Sequence, residues 1–148
     1  MDDARVDIRA ARPADAAEMA RLAGELGYPA SADAMKERLA ALLPDVGQRI
    51  AVAADGECLL AWIHVQRGLT LDIGPRAEIV GLVVDATARR HGLGRRLVAA
   101  AEDWARAQGL AALMVRSNVA RDVSHPFYES IGFARVKTQH VYTKRLDR

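Results

Sequence analysis

A run of apolar, mostly β-branched residues leads into a short segment rich in glycine and arginine. The run is Glu78–Val84, and the segment reads Arg89-Arg90-His91-Gly92-Leu93-Gly94. Beyond the glycines, apolar residues recur at helical spacing from Leu93 to Trp104, and Gly109 marks the predicted helix end. The pattern predicts a buried strand, a tight glycine turn and a helix that faces the core.

A glycine turn at a helix start is suited to binding phosphate. The first backbone N–H groups of a helix have no intrahelical partner, and the helix dipole adds partial positive charge there. Gly92 and Gly94 leave these groups open to a bulky diphosphate, and the flanking arginines add cationic charge. A plain tight turn with solvated arginines is an equally good interpretation of the segment alone. Dinucleotide binding is not indicated, because Leu97 stands where that fingerprint has its third glycine.

Composition favours one compact domain. The chain has 148 residues, 51% of them hydrophobic, which suffices for one core but not for two ordinary ones. We therefore expect a single domain over residues 1–148. Its 21 basic and 19 acidic side chains leave a net charge of +2. This small net charge does not indicate binding to a polyanion, so we do not expect nucleic acid as a partner.

The cysteine and histidine content argues against a disulfide or a metal. Cys58 is the only cysteine, and the four histidines share no metal-ligand spacing. The first residues lack the apolar core of a secretory signal, and no stretch approaches the roughly 18 apolar residues of a membrane span. We expect a cytoplasmic protein without a bound metal or a membrane partner.

Patterning along the whole chain predicts a mixed α/β (α+β) domain with the element order βααβββαβαβ. The predicted elements, in chain order, are a strand at Val6–Arg9, helices at Ala16–Leu26 and from Ser31 to Pro44, strands at Ile50–Ala54 and Cys58–Gln66 joined at Asp55-Gly56, a loop at Gly68–Arg76, the strand Glu78–Val84, the helix that opens near Gly92, a strand at Ala111–Val115, a helix at Val119–Ser130 and a last strand from Gly132 through Tyr142.

Two motifs in this order resemble the GNAT superfamily of acyl-CoA-dependent N-acyltransferases. The first is Arg89-x-x-Gly92-x-Gly94 after a strand. The second is Asn118 together with Phe127-Tyr128-Glu129-Ser130-Ile131-Gly132-Phe133. The element order agrees over nearly the whole chain. The resemblance implies a GNAT-like fold, with a mixed, mostly antiparallel central sheet that splays between its fourth and fifth strands and has helices on both faces.

The resemblance also implies a site for acetyl-CoA as co-substrate. The pyrophosphate would lie on the glycine turn, and the pantetheine amides would pair with the preceding strand end like an added strand. Asn118 would bond the pantetheine arm or an ordered water, although a turn or N-cap asparagine is an alternative. The implied coenzyme-binding residues are Leu82, Val83, Val84, Arg89, Arg90, His91, Gly92, Leu93, Gly94, Arg95 and Asn118.

Gly81 interrupts the apolar strand that precedes the glycine turn. A glycine inside a strand weakens packing and often marks a bulge, so we expect irregular backbone there. Simple accommodation of a neighbouring side chain is the alternative.

Acetyl transfer to an amine requires a neutral amine, a polarised carbonyl and a proton for the departing thiolate. Direct attack is favoured, because no motif places a base beside Cys58 to make it a nucleophile. Tyr128 matches the tyrosine of the family motif and is the candidate acid, with a merely packed tyrosine as the alternative. Glu78 matches a glutamate of the histone-acetylating branch and is the candidate general base. The alternatives are a water chain or a different group as the base, with Glu78 an exposed carboxylate that merely attracts cationic acceptors.

These features predict an N-acetyltransferase that acts on a primary amine of a small molecule or a peptide. Asn118–Arg121 and His125–Tyr128 are similar to small-molecule members, which favours a small acceptor. We expect the first two helices, the loop Gly68–Arg76 and the end of the chain to form the acceptor pocket. A homodimer is left open. The alternative from another class is a non-catalytic acyl-CoA-binding regulatory domain. An enzyme acting on charged transfer RNA would be expected to carry more basic surface.

Overall fold

The structure is a computed structural model, and it describes residues 5–117 and 124–146. The chain divides into two compact units, Met1–Arg116 and Ser117–Arg148. The first unit contains the whole sheet and three α-helices, and the second contains one further helix.

The elements follow the predicted order from the first strand to the fourth helix. Short 3-10 turns precede the first helix and follow the fourth strand. The elements are β1 Asp7–Ala10, α1 Ala16–Glu25, α2 Ala32–Leu42, β2 Gln48–Asp55, β3 Cys58–Thr70, β4 Gly74–Val84, α3 Leu93–Ala107, β5 Leu113–Val115 and α4 Ser124–Ser130.

The sheet has five strands in the order β1-β2-β3-β4-β5. Neighbouring strands from β1 to β4 are antiparallel, whereas β4 and β5 are parallel. Ile50 and Val52 of β2 pack with α1 and α2, while the alternating Ala51 and Ala53 are equally buried on the other face. Helix α3 contacts β2, β3 and β4. The expected mixed sheet with helices on both faces is confirmed.

The helix starts follow the capping residues in the sequence. The Ser31 hydroxyl accepts a hydrogen bond of 3.0 Å from the Ala34 N–H at the start of α2. Ahead of α1, the Asp15 carboxylate accepts one of 2.8 Å from the Arg12 N–H and is also paired with Arg9. These contacts fix the two helices that lie on one face of the sheet.

Two predicted turns differ in the structure. The segment Gly68–Arg76 is not a loop, because β3 and β4 continue as a ladder as far as the pair Thr70 and Gly74. The glycines and the proline in this segment hide the alternation that marks a strand. The β2–β3 turn consists of Gly56 and Glu57 instead of Asp55-Gly56, because Asp55 still pairs with Cys58.

The predicted last strand is absent from the described residues, since 133–146 contain neither helix nor strand. Val136, Val141 and Tyr142 are 84%, 81% and 91% exposed. Apolar β-formers make a strand only where a partner strand completes the hydrogen-bond ladder, and this segment has no such ladder in the described structure. The prediction of a strand from Gly132 through Tyr142 is therefore wrong in this structure.

None of the helices in residues 5–117 and 124–146 is both long enough and apolar enough to cross a membrane.

Candidate active site

Strands β4 and β5 lie at one edge of the sheet and pair over only part of the length of β4. Their parallel pairing begins at Ala77 and Leu113 and ends at Ile79 and Val115. Strand β4 then continues for the five residues Val80–Val84 beyond its last β5 partner. The β5 pairing ends where the family resemblance implied a splay, and it leaves one edge of β4 without a β5 neighbour.

A bulge lies at the point where the two strands part. His64 pairs with Gly81 and Val65 pairs with Ile79, so Val80 is an extra residue on β4. This confirms the expected irregularity beside Gly81. The packing interpretation also holds, because a Cβ atom on Gly81 would lie 2.8 Å from the ring of Trp62.

The bulge also decides which residues share a face with Glu78. Simple alternation would place Glu78 on one face with Val80. Because the bulge shifts the alternation, Glu78 shares its face with Gly81, opposite Gln66 and His64 of β3. Glu78 is 7% exposed, whereas Val80 is 43% exposed.

Two arginines pair with the Glu78 carboxylate. Arg116, the residue directly after β5, donates a short hydrogen bond from Nη1 to Oε2. The Nη2 atom of Arg76 lies 3.7 Å from Oε1. The alternative of an exposed carboxylate is therefore wrong, since both oxygens of this buried group face guanidinium groups.

Arg76 is itself buried, at 7% exposure. Its guanidinium lies over Gly68, where a Cβ atom would be 3.1 Å from Nη1, and Nη1 donates to the Thr70 hydroxyl at 3.2 Å. Its Nε atom is buried and has no hydrogen-bond partner among the described residues. Sequence reasoning missed Arg76 and Arg116. Alternation on β4 could have indicated Arg76, which stands two residues before Glu78.

The glycine turn has the backbone expected of a phosphate-binding loop. Gly92 is the N-cap of α3 with φ 73°, and its carbonyl accepts the first helical hydrogen bond from the Arg96 N–H at 3.0 Å. Arg90 is also left-handed, with φ 71°. The Leu93 side chain is buried at 1% exposure, so only its backbone is available to a ligand. The turn therefore presents backbone N–H groups at the helix start.

The arginine side chains around this turn lie in solvent. Arg89, Arg90 and Arg95 are exposed, and none forms an ion pair with a residue that the structure describes. The half-buried Gly94 occupies the first turn of the helix beside them. Cationic side chains and unpaired N–H groups thus surround the same point, an arrangement suited to a diphosphate.

A hydrogen-bond network fixes the end of β4 to α1. Asp85 accepts bonds from the Thr87 N–H at 2.9 Å and hydroxyl at 2.8 Å, and from Arg21 Nη1 at 2.9 Å. These bonds hold the pKa of Asp85 below its usual range. Arg21 also pairs with Glu18 at 2.8 Å and donates to the Leu59 carbonyl at 2.9 Å. The network holds the backbone between β4 and the glycine turn, and no sequence motif pointed to it.

Two titratable groups of β3 have pKa values shifted in the direction that favours their neutral forms. Burial lowers the pKa of His64, whose Nε2 lies 2.6 Å from Gln48 Oε1. Desolvation and the nearby Glu18 carboxylate raise the pKa of the Cys58 thiol. A thiol with a raised pKa is a poor nucleophile at neutral pH, which supports direct attack.

The second motif forms the end of α4 in the second unit. Gly132 has φ 98°, and the Phe133 N–H donates to the Tyr128 carbonyl at 3.0 Å. The Tyr128 ring is half-buried and contacts Phe127 and Phe133 edge-on, at centroid distances of 5.2 and 5.6 Å. The motif therefore folds the chain back onto Tyr128. Asn118 lies outside the described residues.

Within the described ranges 5–117 and 124–146, no group of three His, Cys, Asp or Glu side chains could hold a metal ion.

The family model for the acetyltransferase (GNAT) family matches residues 16–133. The chain belongs to this family. The match includes both sequence motifs and most of the sheet. The expected enzyme class, an acetyl-CoA-dependent acyltransferase, is confirmed for this GNAT protein.

Two curated relatives support the family assignment. The aminoglycoside N(6')-acetyltransferase type 1 of Stenotrophomonas maltophilia is 33% identical over 131 residues, which cover 85% of this chain and 84% of the relative. The IAA acetyltransferase of Azospirillum brasilense is 31% identical over 118 residues, which cover 79% of this chain and 72% of that protein.

Solved structures confirm the GNAT fold. The apo aminoglycoside 6'-N-acetyltransferase of Acinetobacter haemolyticus has a TM-score of 0.82 at 20% identity, over 95% of this chain and 99% of that chain. A transcriptional regulator from Bacillus halodurans has a TM-score of 0.79 at 26% identity, over 95% and 98% of the two chains.

Proposed function

We propose that this GNAT protein transfers the acetyl group of acetyl-CoA to a primary amine of a small molecule by direct attack. The observation that carries the proposal is the edge of β4 at Val80–Val84, which extends past β5 and leads into the arginine-rich turn at Gly92. An extended ligand can pair with such an edge while its anionic end reaches the helix start.

The coenzyme would lie along this edge and turn. The backbones of Leu82, Val83 and Val84 would pair with the pantetheine amides, which carry donors and acceptors at strand-like spacing. The N–H groups at the start of α3 and the exposed side chains nearby would bind the pyrophosphate. The proposed pyrophosphate-binding residues are Arg89, Arg90, His91, Gly92, Leu93, Gly94 and Arg95. Asn118 stays a proposed contact to the pantetheine arm.

The reaction would need three proton transfers and no covalent enzyme intermediate, since the nitrogen loses two protons and the sulfur gains one. The amine nitrogen forms a bond to the thioester carbonyl carbon, and the carbon–sulfur bond breaks. Glu78, on the face of β4 beside the bulge, would accept the proton that the ammonium loses, directly or through water. Tyr128 would donate a proton to the departing thiolate, a role supported by its place in the motif. The nitrogen loses its second proton as the amide forms, and Glu78 and Tyr128 return to their starting forms by proton exchange with solvent. An N-acetyl amide and the protonated thiol of coenzyme A result.

The names of the relatives support a small acceptor. One relative acts on aminoglycosides, and another is an IAA acetyltransferase. Both are over 30% identical to this chain and match most of its length. The acceptor would lie on the face of the sheet that carries Glu78. Helices α1 and α2 and the β3–β4 hairpin would border it.

Acetyl-CoA-dependent thiol release, measured with a panel of amines, tests the proposal. The panel holds aminoglycosides, polyamines, amino acids, amino sugars and a lysine peptide, and coenzyme binding is measured by calorimetry. We expect acetyl-CoA to bind and one class of small amines to raise thiol release above the rate without acceptor. Coenzyme binding with no turnover of any amine would favour a non-catalytic acyl-CoA-binding domain and contradict the proposal.

A further inference from the structure

Three charged side chains meet on the face of β4 where β4 and β5 part. Glu78 lies between Arg116, which donates to its Oε2 atom, and Arg76, whose Nη2 is 3.7 Å from its Oε1 atom. Arg116 follows the last residue of β5, so it lies beside the separation of the two strands. The cluster therefore borders the place where the proposed reaction occurs.

The cluster carries a surplus of positive charge. Two guanidinium groups face one carboxylate, and guanidinium groups remain charged at every physiological pH. The polar neighbours on this face of β3 are Gln66, which is uncharged and lies opposite Glu78, and His64, whose pKa burial lowers, so that its charged form is disfavoured. A polycationic acceptor would meet like charge here, whereas an anionic group would meet opposite charge.

The cluster also has more hydrogen-bond donors than acceptors. The Nε atom of Arg76 is a buried donor with no partner in the described structure. The Arg116 side chain is 52% exposed and gives one N–H to Glu78, although a guanidinium carries five. Guanidinium groups bind carboxylates and phosphates through two parallel bonds, so the ligand that complements this excess is an acid.

We propose that the acceptor is an amine that also bears an anionic group, and that Arg116 binds this group. The inference rests on the proposed function and names its substrate class. The anion competes with Glu78 for Arg116, so substrate binding frees the Oε2 atom of Glu78 to accept the ammonium proton while Arg76 stays beside Oε1. The neutral amine then forms the carbon–nitrogen bond, the carbon–sulfur bond breaks, the nitrogen loses its second proton and the thiolate gains one, so that an amide and a thiol result. Arg116 is thus a specificity residue that also controls the access of Glu78 to the amine.

Matched acceptors test this inference. Amino acids are compared with their carboxamides, and an amino sugar phosphate with the free amino sugar, by kcat/KM in the thiol-release assay. We expect kcat/KM for the anionic member of at least one pair to be about tenfold higher or more. A ratio of this size corresponds to the free energy of one hydrogen bond to a charged group. The carboxylate and phosphate pairs distinguish the two possible anions. Neamine, a polycation, is expected to be a poor acceptor.

In the variant Arg116→Gln, the ratio of kcat/KM for the anionic acceptor to that for its uncharged partner should fall towards one. The variant Arg116→Lys should keep part of this preference. Arg106→Gln is the matched control, because Arg106 is an exposed α3 arginine whose ion pairs are with Glu102 and Asp103. Calorimetry with CoA-saturated protein measures the same acceptor preference without turnover.

Equal or better use of the uncharged members would overturn the inference while leaving the acetyltransferase proposal standing. So would an unchanged preference in Arg116→Gln. Turnover of no amine at all would overturn the proposed function, and the inference with it.

Discussion

The ring of Trp62 lies directly over Gly81, so that a Cβ atom on this glycine would be 2.8 Å from Cζ3 and 3.1 Å from Cη2. The indole of Trp62 packs against the core beneath α1 and donates from Nε1 to the Met19 carbonyl at 3.2 Å. The Trp62 ring is therefore fixed by its hydrogen bond at Nε1 and by its contact with Gly81 at Cζ3 and Cη2. The glycine beside the bulge is needed for this contact between β3 and β4.

Replacing Gly81 by alanine should destabilise the protein by about 1–3 kcal/mol, because either the ring or the strand must move to admit the methyl group. The free energy of unfolding is measured by chemical denaturation. Gly24→Ala is the matched control, since nothing lies within 4 Å of the added Cβ in that helix. The control should be neutral or slightly stabilising. Equal stabilities of the two variants would contradict the assigned contact.

Local patterns predicted those parts of the fold that depend on local chemistry. The N-cap at Ser31 and the left-handed turn at Gly92 follow from residues next to each other in the chain. The irregular backbone beside Gly81 follows from a glycine inside an apolar strand. Each of these structures is specified by a few consecutive residues, and the sequence displays them directly.

Contacts between distant residues could not be predicted in the same way. Arg116 and Glu78 are 38 positions apart, and Arg21 and Asp85 are 64 apart. Their pairing depends on the strand register and on how α1 packs on the sheet, which no local pattern encodes. The last strand was predicted from the local pattern of apolar residues, although a strand also requires a partner. The two arginines around Glu78 were missed for the same reason.

Gly92→Ala should weaken acetyl-CoA binding, because alanine at φ 73° is strained by roughly 1–2 kcal/mol and the turn would change to relieve it. Coenzyme affinity is measured by calorimetry. Gly109→Ala is the control, since it imposes the same strain at φ 75° beyond the other end of α3. Both variants should lose stability, but only Gly92→Ala should lose affinity. Equal affinities would show that the turn does not bind the coenzyme.

Asp85 should make stability depend on acid pH. The pKa of Asp85 is lower in the folded protein than in the unfolded chain, where it is near 4. Its contribution to the free energy of unfolding is therefore fully present above the unfolded pKa and is lost as the pH falls through the folded pKa. Asp85→Asn should therefore be less stable than wild type at neutral pH, and the difference should narrow below about pH 4. Urea unfolding of both proteins, from neutral pH to below about pH 4, measures this difference in stability. Asp103→Asn, which changes a carboxylate that is 81% exposed, should show little effect at any pH.

Tyr128→Phe should lower kcat by about tenfold to a hundredfold and leave coenzyme affinity nearly unchanged, because only the proton for the thiolate is lost. The phenyl ring keeps its edge contacts with Phe127 and Phe133. Tyr142→Phe, at a residue that is 91% exposed, is the control and should behave as wild type. An unchanged kcat in Tyr128→Phe would remove this hydroxyl from the mechanism.

Glu78→Gln should move the rise of kcat/KM to higher pH, because the amine must then lose its proton to solvent before it attacks. The pH–rate profile is measured for both proteins, with unfolding midpoints alongside, because the substitution leaves Arg76 and Arg116 without their carboxylate. Glu102→Gln on α3 is the control. A profile that keeps its shape and position would assign the base to another group or to water.

Mass spectrometry of protein and acceptor, after incubation with acetyl-CoA and the best amine, tests the central claim most directly. We predict one acetyl group on the amine nitrogen for each thiol released. We also predict no acetylated enzyme, at Cys58 or elsewhere, when the acceptor is omitted. An acetyl-enzyme that passes its group to the amine, or thiol release without an acetylated amine, would contradict direct N-acetyl transfer.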